Sequence, residues 1–262
     1  MKTPLTLALY QCTSNPLDVA GNLNRLEAAA DQARQGGADV LVCPEMFLTG
    51  YNIGPAAVRQ LAQAARGTYA QAVADIALRH SVAIVYGYPE LGEQGALFNA
   101  AQWISASGER GLNYRKTHLF GDLDKCQFVA GDMTSPLVEL KGWRIGILIC
   151  YDVEFPENTR RLARVGADLI VVPTANMVSF DFVPNVMVPV RAYENQVYVA
   201  YANYAGPERE LIYGGLSTVV APDGVVLSQA GHIETLIFAT LDNERLEAAR
   251  QHCSHLVDSV RD

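Results

Sequence analysis

Cys150 closes the apolar run Arg144-Ile145-Gly146-Ile147-Leu148-Ile149 and is followed directly by the polar segment Tyr151-Asp152-Val153-Glu154-Phe155-Pro156-Glu157. A buried strand, a turn and a helix start in that order can set a thiol at a strand tip, where a nucleophile is useful. The ordinary alternative for a lone cysteine among Val, Ile and Leu is a buried structural one. Two further segments bear on the choice. Glu45 follows a second apolar run, Asp39-Val40-Leu41-Val42-Cys43-Pro44, and Lys116 stands in Asn113-Tyr114-Arg115-Lys116-Thr117-His118-Leu119-Phe120-Gly121. Taken singly, Glu45 reads as a surface carboxylate and Lys116 as a solvated loop charge. Together with Cys150 they offer a base, a positive group and a nucleophile. A thiol attacks weakly until it is ionised; a neighbouring carboxylate can remove its proton, and a nearby ammonium can stabilise the anion.

The elements that would hold these side chains alternate between helix and apolar strand. Asp18 to Gly36 carries Ala20, Leu23, Leu26 and Ala30 near helical period and ends in Gly36-Gly37, as helices often do. A buried strand, Val40 to Cys43, follows. The same grammar returns later, with Pro156 to Val165 read as a helix leading through Gly166-Ala167-Asp168 into Leu169-Ile170-Val171-Val172-Pro173. The words Gly37 to Pro44 and Gly166 to Pro173 match closely enough to predict a repeated unit. Between them the pattern predicts a helical stretch from Ala56 to His80, a strand from Val82 to Tyr88, and a hairpin-like region at Phe98 to Ile104 and Gly111 to Arg115. Beyond them it predicts a helix at Pro189 to Gln196, strands at Val197 to Ala202 and Leu216 to Val220, a turn at Pro222-Asp223-Gly224, a strand near Leu236 to Leu241, and a final helix. This alternation points to an α/β layered fold with mixed sheets. No linker, low-complexity block or charge run interrupts the chain, so a single domain over 1–262 is expected.

Composition narrows the function classes. Of 262 residues half are apolar and 18% charged, enough to bury a full core. Twenty basic against 28 acidic side chains give a formal charge of -8 and show no Lys/Arg-dense face, which argues against a nucleic-acid partner. Five scattered cysteines (Cys12, Cys43, Cys126, Cys150, Cys253) without a C-x-x-C pair support neither a disulfide framework nor a zinc ribbon; a reducing, cytoplasmic setting fits them. Leu5 to Tyr10 is too short for a secretory signal core and reads as the first strand. No run approaches the roughly 18 apolar residues of a membrane span. His118, His252 and His255 lack convergent carboxylates or thiols for a metal site and read as partly exposed side chains with no special task. No G-x-G-x-x-G opens a helix after a strand, and Gly87 is followed by Tyr88-Pro89-Glu90, so no dinucleotide or other cofactor is expected.

The flanking words Cys43-Pro44-Glu45, Tyr114-Arg115-Lys116-Thr117-His118-Leu119-Phe120 and Ile149-Cys150-Tyr151-Asp152 with Phe155-Pro156-Glu157 resemble the nitrilase superfamily of carbon–nitrogen hydrolases. The likeness continues through Pro173-Thr174-Ala175-Asn176 and Arg191-Ala192-Tyr193-Glu194-Asn195 and so covers nearly the whole chain. It implies a four-layer αββα sandwich of two mixed sheets, paired with a second copy into a homodimer or higher homo-oligomer, without a metal. It implies hydrolysis of a nitrile, amide or carbamoyl group. Glu45, Lys116 and Cys150 would be the catalytic residues: Glu45 moves the protons, Cys150 forms a thioester, and Lys116 with the backbone N–H of Tyr151 holds the oxyanion. Cys150-Tyr151-Asp152 looks like the amidase and carbamoylase branches; true nitrilases usually carry Trp-Glu after the cysteine.

One departure stands out. Many members carry a second glutamate shortly after the lysine, and alignment on Phe128 and Gly131-Asp132 puts Asp124 there, one methylene shorter. Members that grip a substrate carboxylate often place an arginine between the cysteine and Phe-Pro-Glu, where this chain has Glu154. The expected substrate is therefore a small carboxamide, neutral or amine-bearing, with Tyr51, Glu154, Asn176 and Met177 as wall residues. The rival readings are an N-carbamoyl amine hydrolase, an acyltransferase using the same thioester, and a catalytically silent interaction protein, the last opposed by the intact Glu45, Lys116 and Cys150.

Overall fold

Apolar residues that alternate along short strands need a second surface to bury against, and here two sheets supply one another. The computed structural model describes residues 2–259. The first half runs β1 (Leu5–Gln11), α1 (Val19–Gln35), β2 (Val40–Val42), α2 (Pro55–Leu61), α3 (Thr68–His80), β3 (Ala83–Leu91), β4 (Leu97–Ile104), β5 (Arg110–Arg115) and α4 (Gly121–Lys125). The second runs β6 (Val138–Leu140), β7 (Trp143–Ile147), α5 (Pro156–Arg164), β8 (Leu169–Thr174), α6 (Val188–Asn195), β9 (Tyr198–Asn203), β10 (Ala205–Glu208), β11 (Leu211–Gly214), β12 (Thr218–Val220), β13 (Val226–Gln229), β14 (Thr235–Leu241), α7 (Asn243–His252) and α8 (His255–Asp258).

Each large sheet has six strands, in the orders β14-β1-β2-β3-β4-β5 and β13-β12-β9-β8-β7-β6. Followed from β14 and from β6, both show the same succession of pairings: antiparallel, parallel, parallel, antiparallel, antiparallel. The repeated Gly-Ala-Asp word has a physical cause in this arrangement. The carboxylates of Asp39 and Asp168 accept from the backbone N–H of Thr6 (2.9 Å) and Arg144 (3.0 Å), and each aspartate returns its own N–H to the carbonyl of the same residue at 2.8 Å. In each half the aspartate fixes the strand that follows the helix against the strand that precedes it.

Leu5, Leu7, Leu9, Val40, Val42, Ala83 and Val85 point from the first sheet into the core shared with the second, where Ile145, Ile147, Leu169, Val171 and Val199 meet them. The alternate residues Ala8, Leu41, Ile84 and Ala100 face outward beneath α1 and α3. On the far side, Leu162 and Ala163 of α5 and Val188 and Ala192 of α6 complete the fourth layer. The αββα sandwich of mixed sheets is the expected one.

Two local expectations need correction. The stretch from Ala56 to His80 is two helices, because Ala62 turns extended and Gln63 adds to the edge of β3: its N–H donates to Pro89 O (3.1 Å) and its carbonyl accepts from Leu91 N (2.9 Å). Tertiary pairing outweighs helix propensity there, and Gly67 opens α3 afresh. The strand read as ending at Tyr88 continues through Pro89 to Leu91.

Candidate active site

The ends of β2, β5 and β7 converge, and each delivers one side chain. Glu45 lies just beyond β2, Lys116 just beyond β5, and Cys150 opens the short 3₁₀ turn (Cys150–Glu154) between β7 and α5. Cys150 has φ 46° and Met46, directly after Glu45, has φ 52°, left-handed conformations that non-glycine residues adopt only under constraint.

Glu45 and Lys116 are fully buried, and so is Asp124 on α4. The Lys116 ammonium sits between the two carboxylates, 2.7 Å from Glu45 Oε1 and 2.7 Å from Asp124 Oδ2. Asn99 on β4 donates from Nδ2 to the same Glu45 Oε1 at 2.6 Å, while Glu45 Oε2 has no hydrogen-bond partner among the groups that hold Oε1. The Cys150 thiol is near enough to the cluster for the Glu45 and Lys116 charges and the backbone N–H of Ala175 to act on it.

Burial, reinforced by the Asp124 charge, pushes the Glu45 carboxyl above the ordinary carboxylate range in spite of Lys116. Burial works against the Lys116 ammonium, but Glu45 and then Asp124 outweigh it and hold the charge firmly in place. Burial and the Glu45 charge raise the Cys150 thiol well above its usual value, opposed by Lys116 and the Ala175 N–H. Burial thus favours a neutral Cys150 thiol beside the Glu45 carboxyl.

Other groups fix this cluster. The buried Asp152 carboxylate ties the cysteine turn to the lysine segment: Oδ1 accepts from Thr117 N, Thr117 Oγ1 (2.9 Å) and His118 N (2.8 Å), and Oδ2 accepts from Tyr114 OH (3.0 Å) and Ile149 N (3.1 Å). His118, read from sequence as a side chain without a task, is instead built into this network. Its ring stacks on Phe155 at 4.0 Å, and Nδ1 lies 3.0 Å from Asn158 Nδ2. Gly87 on β3 allows the backbone of Glu45 and Met46 to pass, since a Cβ there would stand 2.2 Å from Met46 N.

The remaining sequence candidates fall at differing distances from the cluster. Asp124 also accepts from Phe120 N (2.8 Å). Tyr51 is buried with its ring centroid 5.6 Å from Lys116 Nζ, and its N–H is held by Glu208 Oε1 at 3.0 Å. Glu154 is half-buried, and burial raises its carboxyl even though Lys116 and Arg191 pull the other way. Asn176 spends its side-chain N–H on Phe180 O (3.1 Å), and its own N–H goes to Asn203 Oδ1 (2.8 Å). Met177 bridges to Tyr213 across the strand edge. The ring of Tyr151 packs edge-on against Phe120 and Phe155 at 5.4 and 4.9 Å.

Sequence reasoning missed Asn99, Asp152 and Tyr201, a buried tyrosine on β9 whose hydroxyl is pushed well up by burial and by its acidic neighbours. The available signal for Asn99 and Tyr201 was a polar group inside a strand with no solvent-facing alternation.

The carbon–nitrogen hydrolase family matches residues 6–251. A hydrolase in the pqqF 5' region of Pseudomonas protegens is 55% identical over 254 residues, covering 97% of this chain and 88% of the relative. An (R)-stereoselective amidase of a Pseudomonas species is 36% identical over 256 residues, 97% of this chain and 91% of that one. A variant of the amidase from Nesterenkonia sp. AN1, in which acrylamide has added to the active-site cysteine, superposes with a TM-score of 0.84 at 34% identity over 95% of each chain. Family match, close relatives and a shared sandwich with a cysteine at its reactive centre agree: the chain belongs to the carbon–nitrogen hydrolases of the nitrilase superfamily and is of their amidase type.

Proposed function

We propose that the protein hydrolyses a small carboxamide to the carboxylic acid and ammonia through a thioester on Cys150. The observation that carries this reading is the Lys116 ammonium, locked at 2.7 Å to both Glu45 and Asp124, with the Cys150 thiol under the influence of both the Glu45 and the Lys116 charge. The Cys150 sulfur attacks the amide carbon as Glu45 takes the thiol proton, and the oxyanion is held by Lys116 and the Tyr151 N–H. The C–N bond breaks as Glu45 returns the proton to the departing ammonia. Glu45 then takes a proton from water as it attacks the thioester; the C–S bond breaks and the thiol recovers its proton. Asp124 serves as the second carboxylate, keeping Lys116 charged and aimed; its helix brings it within reach in spite of the shorter side chain.

The half-buried Glu154 carboxylate, with Tyr51, Asn176 and Met177 as the other wall residues, favours neutral or amine-bearing amides over anionic ones. We read the chain as one cytoplasmic domain over 1–262, an assignment supported by its unpaired cysteines, and as a homodimer or higher homo-oligomer, supported by exposed Phe182, Val186, Val190 and Tyr193 along one flank. A panel of amides, nitriles and N-carbamoyl amines assayed for ammonia and carbon dioxide tests the reaction. Ammonia from simple amides supports it. Carbon dioxide from carbamoyl compounds alone, or transfer to added hydroxylamine with no acid formed, would replace it.

A further inference from the structure

Resting on that reading, we propose that Asn99 is a positioning residue for Glu45, fixing which of the two carboxylate oxygens faces the thiol and keeping the base ionised. A carboxylate in a pocket can rotate about its last torsion and present either oxygen. Here Oε1 is claimed twice, by Lys116 Nζ at 2.7 Å and by Asn99 Nδ2 at 2.6 Å, and the two donors leave Oε2 unpartnered for the Cys150 proton. The Lys116 ammonium alone would not hold this orientation, because it is shared with Asp124. Two donors in different directions define the plane of the carboxyl.

The asparagine has no competing task. Among the described residues its Oδ1 has no hydrogen-bond partner, so its side chain makes a single hydrogen bond, the one to Glu45. Only its N–H₂ face can turn toward a carboxylate oxygen at that distance, which fixes the amide orientation. Its backbone carbonyl accepts from Lys116 N at 2.8 Å, so the strand that carries Asn99 also sets the height of Lys116. A buried strand amide serving one acceptor, with its own oxygen left unsatisfied, is costly unless that acceptor matters.

A donor to the ionised form of Glu45 favours that form. The other groups facing Glu45 are Lys116 beyond β5, Asp124 on α4, Cys150 before α5, Tyr51 after β2 and Tyr201 on β9; Lys116 favours the ionised carboxyl, burial and the Asp124 charge oppose it, and the thiol and the two phenols are held neutral beside it. Removing the Asn99 donor therefore raises the pKa of the base, and the acid limb of the kcat/KM profile moves to higher pH.

Asn99→Leu keeps the branching and the number of heavy atoms, at a somewhat larger volume, and removes the donor; Asn99→Asp keeps the shape but can donate only while protonated. With a small aliphatic amide such as butyramide, Asn99→Leu is expected to lower kcat by 10-fold or more with KM changed less than 3-fold, on the scale of ~10² expected when a base is misplaced. Its acid limb should rise by about one to two pH units, the worth of one charge-assisted hydrogen bond. Asn99→Asp should shift the limb further in the same direction. Alkylation by iodoacetamide, resolved by peptide mass, gives a substrate-free check: the acid limb at Cys150 should move, while that at exposed Cys126 stays. Loss of rate with an unmoved limb would leave Asn99 a merely structural residue and overturn the proposal, as would wild-type kinetics in Asn99→Leu. Full activity in Glu45→Gln would instead defeat the assignment of the base itself.

Discussion

Gly87→Ala adds a single uncharged methyl group to β3 and should still disable the enzyme. Gly87 lies outside the left-handed region, so alanine can adopt its backbone without strain, and the effect is one of space alone. A Cβ there would stand 2.2 Å from Met46 N, 2.8 Å from Glu45 C and 3.0 Å from Glu45 Cα, all backbone atoms that cannot swing aside. To restore ordinary contact the Glu45 segment must retreat from β3 by about 1 Å. A displacement of that size in a catalytic group costs on the order of 10²-fold in rate. Overpacking costs about 1–3 kcal/mol, and at roughly 2–4 °C per kcal/mol for a chain of this size the melting temperature should fall by about 5 °C. Gly231→Ala is the control, because a Cβ there meets no atom within 4 Å and its φ is also ordinary. Ammonia release and thermal melting of both variants measure the difference. A Gly87→Ala enzyme with wild-type kcat/KM would refute the claim that this close approach sets the position of Glu45.

Cys150→Ala should abolish turnover with little change in melting temperature, and a substrate-derived mass should appear on Cys150 and on none of the other four cysteines. Glu45→Gln and Lys116→Ala should each lose at least ~10²-fold in kcat. Lys116→Ala should also melt earlier, since it leaves two buried carboxylates without their cation, a loss of roughly 3–5 kcal/mol; an unchanged melting temperature would count against the ion triad. Glu154→Arg should narrow the preference for neutral or cationic amides over dicarboxylic acid monoamides, measured as the ratio of kcat/KM values; a wild-type preference for the anionic amides removes Glu154 from substrate choice.

The parts of the site legible in the sequence were those written into contiguous words. Cys150 and Glu45 each follow an apolar strand, so local pattern alone places them at strand tips, and the Gly-Ala-Asp repeat announced the doubled architecture. Residues whose meaning lies across the fold stayed silent. Asn99 and Glu45 are 54 positions apart, and Asp152 reaches 35 positions back to Thr117. Gly87 looked like any strand glycine until the Glu45 backbone was seen to pass over it. The break between α2 and α3 was hidden for a related reason: Ala62 to Ala65 suits a helix, and only the edge of β3 pulls Gln63 away. The β10–β11 hairpin, from Ala205 to Gly214, offered too short an alternation to be read.

The doubled architecture also divides the labour of the reaction. By strand register Cys12, at the end of β1, occupies the place that Cys150 has after β7, and Thr174, at the end of β8, occupies that of Glu45. Cys12 is sealed from solvent and its thiol is pushed far up by burial, while Thr174 carries no charge to exchange. Glu45 N even donates to Thr174 O at 3.3 Å, so the counterparts touch where the two sheets meet. On the proposed mechanism the first half thus contributes base and cation, the second contributes the nucleophile, and the chemistry belongs to the seam between them. Neither half holds a complete set, so the packing that joins the sheets is as much a condition for catalysis as the reacting groups themselves.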